Sequence, residues 1–70
     1  MPEDVVAEIV ATVLEVRVAD GQSVDVGDTL VLLESMKMEL EVKSKVAGTI
    51  TYKADTGASV SAGQVIAVVS

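Results

Sequence analysis

The 70-residue chain has no cysteine and no histidine. It therefore has no disulfide staple, no thiolate nucleophile, no usual zinc ligand and no imidazole base. Tyr52 is its one aromatic residue. The five glycines are scattered singly, so no glycine-rich loop can cradle a phosphate. Basic residues are also scarce: five against eleven acids, for a net charge of −6. That balance disfavours nucleic acid and anionic membrane surfaces as partners. No apolar run approaches the roughly 18 residues needed to span a bilayer. The opening "MPEDVVAEIV" is acidic where a signal peptide would be basic. The expected setting is the cytoplasm. Beginning at Met1 and ending just past its last strand, the chain is expected to be whole, not excised.

Half of the residues are apolar, and valine dominates that half. Val and Ile are stiff at the β-carbon and favour strands. A chain of this length forms one small domain, 1–70, that buries only about 60% of its unfolded surface. "GQSVDVGDTL" at 21–30 recurs without a gap as "GASVSAGQVI" at 57–66, and the same 36-residue offset sets "VATVLEVR" against "VAGTITYK". The halves run about 8–34 and 44–70. Two copies suit a closed two-fold arrangement better than a solenoid, which needs three or more repeats. Each half opens on an alternating strand, with Leu14, Val16 and Val18 inward in one copy and Ile50, Tyr52 and Ala54 inward in the other. A glycine turn follows, then a very short strand at Ser23-Val24 or Ser59-Val60, a second glycine turn and an apolar run. Short strands punctuated this often indicate an all-β sandwich or barrel. No helical period is present.

The link between the halves is "ESMKMELEV". Strand parity puts Met36, Met38, Leu40 and Val42 on one face, and Lys37, Glu39, Glu41 and Lys43 on the other. Periodicity alone describes an edge strand with buried methionines and solvated charges. Yet this turn has no Gly, Asn, Asp or Pro, which every other connection has and which tight hairpins normally require. Something other than turn preference must hold it. At the 36-residue offset Lys37 falls opposite Met1, which predicts a turn at the far end of the molecule from the chain termini. The remaining polar residues read more plainly. Glu34, Glu39 and Glu41 form a solvated face and not a metal cluster, since no histidine accompanies them. Asp25 and Asp28 flank Gly27 as turn residues without the spacing of a calcium loop. Asp4, Glu15 and Asp20 are expected to be surface acids, and Tyr52 belongs to the core or its rim.

"ESMKME" resembles the attachment motif of the biotinyl/lipoyl attachment domain family, in which a biotin-accepting lysine stands between two methionines. The resemblance extends through "VLEVRVADGQSVDVGDTLVLLESMKME", "VAGTI" and "GASVSAGQVIAVV", and so covers nearly the whole chain and its duplication. It is nearest to the stand-alone biotin carboxyl carrier form. It implies a flattened barrel, of the hammerhead kind, made of two four-stranded antiparallel sheets related by a pseudo-two-fold. It implies that Lys37 carries covalent biotin and that Met36 and Met38 are read by a biotin protein ligase. Ser35, Glu34 and Glu39 complete the flanking motif. Biotin carboxylase and carboxyltransferase subunits of an acyl-CoA-type carboxylase would be the partners of a monomeric carrier. Ser35 stands where alanine is commonest. Only Ala19 and Asp20 separate Val18 from Gly21, which leaves no room for the protruding thumb of some carriers.

Amide formation needs a deprotonated amine and an activated acyl group, and the chain supplies neither. A ligase must bring both, and shape must single out Lys37 from Lys43, Lys45 and Lys53. No convergent acid, base and nucleophile exist in the chain, so it is expected to carry a cofactor and to catalyse nothing itself. Two other readings compete. A lipoyl carrier for an oxo-acid dehydrogenase or glycine-cleavage system would have a similar fold, but its lysine is usually not flanked by methionine on both sides. An unmodified β-module would keep the fold without the modification.

Overall fold

The computed structural model describes residues 2–70. Eight strands follow in order: β1 (Glu3–Val6), β2 (Ala11–Val16), β3 (Ser23–Val24), β4 (Thr29–Ser35), β5 (Met38–Lys43), β6 (Gly48–Tyr52), β7 (Ser59–Val60) and β8 (Val65–Val69). They form two four-stranded antiparallel sheets, ordered β1-β8-β6-β3 and β5-β4-β2-β7. Adding four to each strand number turns the first order into the second. The expected pair of sheets related by a pseudo-two-fold is therefore present. Residues 17–22 alone join β2 to β3, so no thumb protrudes there.

Backbone hydrogen bonds give the repeat its register. Arg17 N–H donates to the Leu30 carbonyl as Lys53 N–H donates to that of Ile66, both at 36 residues. Upstream the spacing changes. Val13 accepts from Gly57 as Ile50 accepts from Gly21, so Val13 matches Ile50, 37 residues on. Likewise Ala7 matches Ser44 in their bonds with Gly63 and Gly27. The extra residue of the first half is Leu14, at a register shift in the β2–β4 ladder between Val13 and Glu15. The uniform offset across "VATVLEVR" is thus corrected, and so is the placement of Leu14. The bulge turns Val13 inward, where it is buried, and leaves Leu14 outside the core cluster. Val16 and Val18 still pack against that cluster, as do Tyr52 and Ala54. A bulge sets two residues against one, so strand parity cannot be carried across it. The correspondence also takes in β1 and β5, outside the halves 8–34 and 44–70.

The core lies between the sheets and is built from two-fold mates: Val13 with Ile50, Leu30 with Ile66, Val24 with Val60, Val31 with Ala67 and Leu33 with Val69, all buried. The turns that return each short strand need a left-handed backbone. Gly27 and Gly63, two-fold mates, have φ of 90° and 84°, which a residue with a β-carbon adopts only with strain. Gly48 answers a different need. A β-carbon there would lie 2.8 Å from the Ser70 carbonyl oxygen.

The turn caps follow the repeat in part. Gln64 and its two-fold mate Asp28 cap equivalent turns, while the mate of Gln22 is Ala58, which has no side chain to cap with. Gln22 and Gln64 each cap their own turn through the side-chain carbonyl, at 3.0 Å from Ala19 N and Ser61 N. The Asp28 carboxylate does the same for Asp25 N–H at 2.8 Å, in keeping with a turn role for both aspartates. Asp20 is more than a surface acid, because its carboxylate accepts the Tyr52 N–H at 2.9 Å from the other half of the chain.

Candidate functional site

Strands β4 and β5 form the longest ladder in the molecule, running from Thr29↔Lys43 to Ser35↔Met38. Only Met36 and Lys37 remain to make the turn. Their φ angles are 53° and 64°. Positive φ at both central residues is the signature of a two-residue type I′ hairpin, whose twist matches that of the flanking strands. Asn and Gly normally fill these positions. For an L-residue with a full side chain, the left-handed conformation costs about 1–2 kcal/mol. Non-glycine residues held in this way cluster at functional sites.

The turn lifts its side chains off the barrel. Met36 is 92% exposed and Met38 63%, and Lys37 is exposed as well. The expectation of buried methionines is therefore overturned, although β5 is an edge strand with solvated charges as periodicity describes. Parity does hold further along β5, where Leu40 and Val42 pack on the core while Glu39, Glu41 and Lys43 face solvent. It fails at the tip because Met36 lies in the turn and the interior ends short of Met38. Exposed methionine is a soft, adaptable contact surface.

Two ion pairs occur among the described residues, Arg17 with Glu15 at 3.3 Å and Lys43 with Glu41 at 3.9 Å. Neither involves Lys37, whose amine is left available to a visiting enzyme. Glu34 and Glu39 stand directly opposite each other across the ladder and both are exposed. Like charges so placed destabilise a sheet, and they form an acidic step one residue pair behind the turn. Among the described residues no three acidic side chains converge as metal ligands.

In the other sheet Glu3 pairs with Val69, and the two-fold mate of that pair is Leu40 with Leu33. The hairpin thus occupies in its sheet the place that the chain ends occupy in theirs. The 36-residue offset set Met1 against Lys37, but the spacing of 37 that Glu3 and Leu40 keep sets it against Met38. Met1 itself lies outside the described residues.

Sequence reasoning missed one part of this end of the molecule. The Ser35 hydroxyl donates to the Val10 carbonyl at 2.9 Å, which brings the β1–β2 loop against the hairpin. Ile9, Val10 and Met36 share one shallow depression there, and Ile9 and Val10 are 44% and 68% exposed. No local signal could have paired residues 10 and 35, because only the fold makes them neighbours.

Known proteins share this arrangement. The family model described as biotin-requiring enzyme, which covers biotin and lipoyl attachment domains, matches residues 1–69. A biotinylated protein TB7.3 homolog of Mycobacterium leprae is 54% identical over 71 residues, covering 100% of both chains. The alpha3 subunit of a biotin-dependent acyl-coenzyme A carboxylase of the same organism is 44% identical over 64 residues, 90% of this chain and 11% of that one. Among solved structures, urea carboxylase of Kluyveromyces lactis superposes with a TM-score of 0.92 at 27% identity, over 100% of this chain and 6% of that one. The fold, the two-fold repeat and these similarities together show that the chain belongs to the biotin/lipoyl attachment family, whose domains carry a cofactor and are not themselves catalysts.

Proposed function

We propose that this protein is a biotin carboxyl carrier in which Lys37 is the residue acylated by a biotin protein ligase. The observation that carries the proposal is the left-handed Met36-Lys37 turn, which holds one exposed lysine between two exposed methionines beyond the edge of the barrel. Lys43 lies within β5, paired to Glu41. Lys45 and Lys53 follow β5 and β6 and have no comparable apex. The residues fit the group: an exposed amine without an ion-pair partner can enter a ligase active site, and Met36 and Met38 give that ligase a deformable apolar grip. Biotin supplies the atom that accepts and releases a carboxyl group. The chain supplies placement. Its rigid β4–β5 ladder presents Lys37 at the end of a side chain that can swing between two active sites, and tethering raises the effective concentration at each.

The partners we propose are the biotin carboxylase and carboxyltransferase sites of an acyl-CoA-type carboxylase, visited by the carrier as a monomer. The similarity to a carboxylase alpha subunit supports this choice. Intact-mass measurement after co-expression with biotin and lipoyl ligases, separately, tests the reading. A biotin increment on the native chain that disappears in Lys37→Ala is the expected result. A lipoyl increment alone would make the protein a lipoyl carrier, and no increment from either ligase would leave an unmodified β-module.

A further inference from the structure

In this chain the left-handed turn has a restraint from outside its own two residues. Met36 and Lys37 both sit at positive φ, and neither has the small or amide side chain that tolerates this region. The β4–β5 ladder closes with Ser35↔Met38, so nothing beyond that pair holds the tip. Ser35 is half-buried and its hydroxyl donates to the Val10 carbonyl, 25 residues away. That bond ties the first corner of the turn to a loop whose root is itself fixed, since Ala7 exchanges backbone bonds with Gly63 and Gln64.

We infer that Ser35 is a positioning residue: its hydrogen bond to Val10 holds the Met36-Lys37 turn in the left-handed form that an acylating ligase engages. This rests on the assignment of Lys37 as the acceptor. Without the bond, the turn spends part of its time in relaxed conformations that present the lysine wrongly. A partner that binds only the competent form then sees its affinity reduced by the fraction populated. Val10 is largely exposed, so water replaces the lost donor and the barrel itself is little affected.

The test compares native protein, Ser35→Ala and Ser35→Thr in the unmodified state and as ligase substrates. The net worth of one neutral hydrogen bond corresponds to about a fivefold change in the ratio of competent to relaxed turns. We expect Ser35→Ala to raise KM for biotinylation, by at most about fivefold, with kcat unchanged. Its backbone NMR shifts at Met36 and Lys37 should move toward unstructured values while those of the core strands stay put. Threonine keeps the hydroxyl and should restore both. Unchanged KM and shifts in Ser35→Ala would overturn the inference, as would a defect that threonine does not repair. If the native chain accepts no biotin, the carrier reading fails, and the NMR comparison still decides whether the clamp shapes the turn.

Discussion

Tyr52 shows how much one side chain can do in a core built from valine. Its hydroxyl lies 2.8 Å from the Val18 carbonyl and 3.0 Å from that of Leu30, so a single proton serves two acceptors in the other half of the barrel. Its backbone N–H is taken by Asp20. Burial, with the nearby Asp20 charge adding to it, raises the phenol above its ordinary value of 10.0. A raised folded-state value means that the neutral form is favoured by folding. The contribution is complete below the unfolded value and is lost as pH climbs through the folded one. Urea unfolding should therefore show stability falling above about pH 10 more steeply in the native protein than in Tyr52→Phe. The same substitution should cost about 1 kcal/mol at neutral pH, because two carbonyls lose a donor. Equal pH slopes for the two proteins would contradict the assignment. Periodicity places Tyr52 inward, but its partners are 34 and 22 residues away and no pattern in the chain names them.

The β2 bulge is the clearest lesson at the level of elements. Without Leu14, the ladder Val13↔Leu33, Glu15↔Leu32, Val16↔Val31 would read as Ile50↔Val69, Thr51↔Val68, Tyr52↔Ala67 already does in β6–β8. Deleting Leu14 should consequently leave a folded protein with a regular β2–β4 ladder, detectable by cross-strand NMR contacts and a cooperative thermal transition. Loss of the transition would show that the bulge is required. Deleting Val13 instead gives the same register with leucine in the buried slot that Val13 fills, so that protein should also fold, less stably by about 1–3 kcal/mol for the extra methylene. The position of the bulge was hidden in the sequence because Leu14 is apolar. Under strict alternation it reads as a good inward residue. The exposed methionines were hidden for a similar reason, since side-chain chemistry says where a residue would prefer to lie and not where the barrel ends. Seven of the eight strands and the glycine turns, by contrast, were legible, because each depends on residues within a few positions of one another. Strand β1 was not. The links 7–10 and 44–47 lack Gly, Asn, Asp and Pro as the hairpin does, against the expectation that every other connection has one.

The molecule as a whole is a narrow barrel, 31 × 19 × 18 Å, whose core lies between its two sheets. With no disulfide and a short chain, total stability should be about 0.05–0.15 kcal/mol per residue. Leu30 is 0% exposed, and truncating such a residue typically costs about 2–5 kcal/mol. Leu30→Ala should thus remove much of the folded population at 37 °C, measured by loss of NMR dispersion. Biotinylation should fall with it, because the hairpin is presented only by the assembled ladder. A well-folded Leu30→Ala that still accepts biotin at the native rate would mean that the hairpin is less dependent on the barrel than its strand pairing implies.

The sequence by itself determined the class of fold, the duplication and the identity of the candidate lysine. These follow from side-chain alternation, from residues that permit left-handed turns, and from a short motif that can be read in place. Tertiary structure decided the rest. It set the register between the halves, turned Met36 and Met38 out to solvent, placed Met36 and Lys37 at positive φ, and brought Ser35 to Val10. The physical reason is the same in each case. Backbone hydrogen bonds between distant strands fix where every side chain ends up, and those bonds exist only once both sheets have closed on the core.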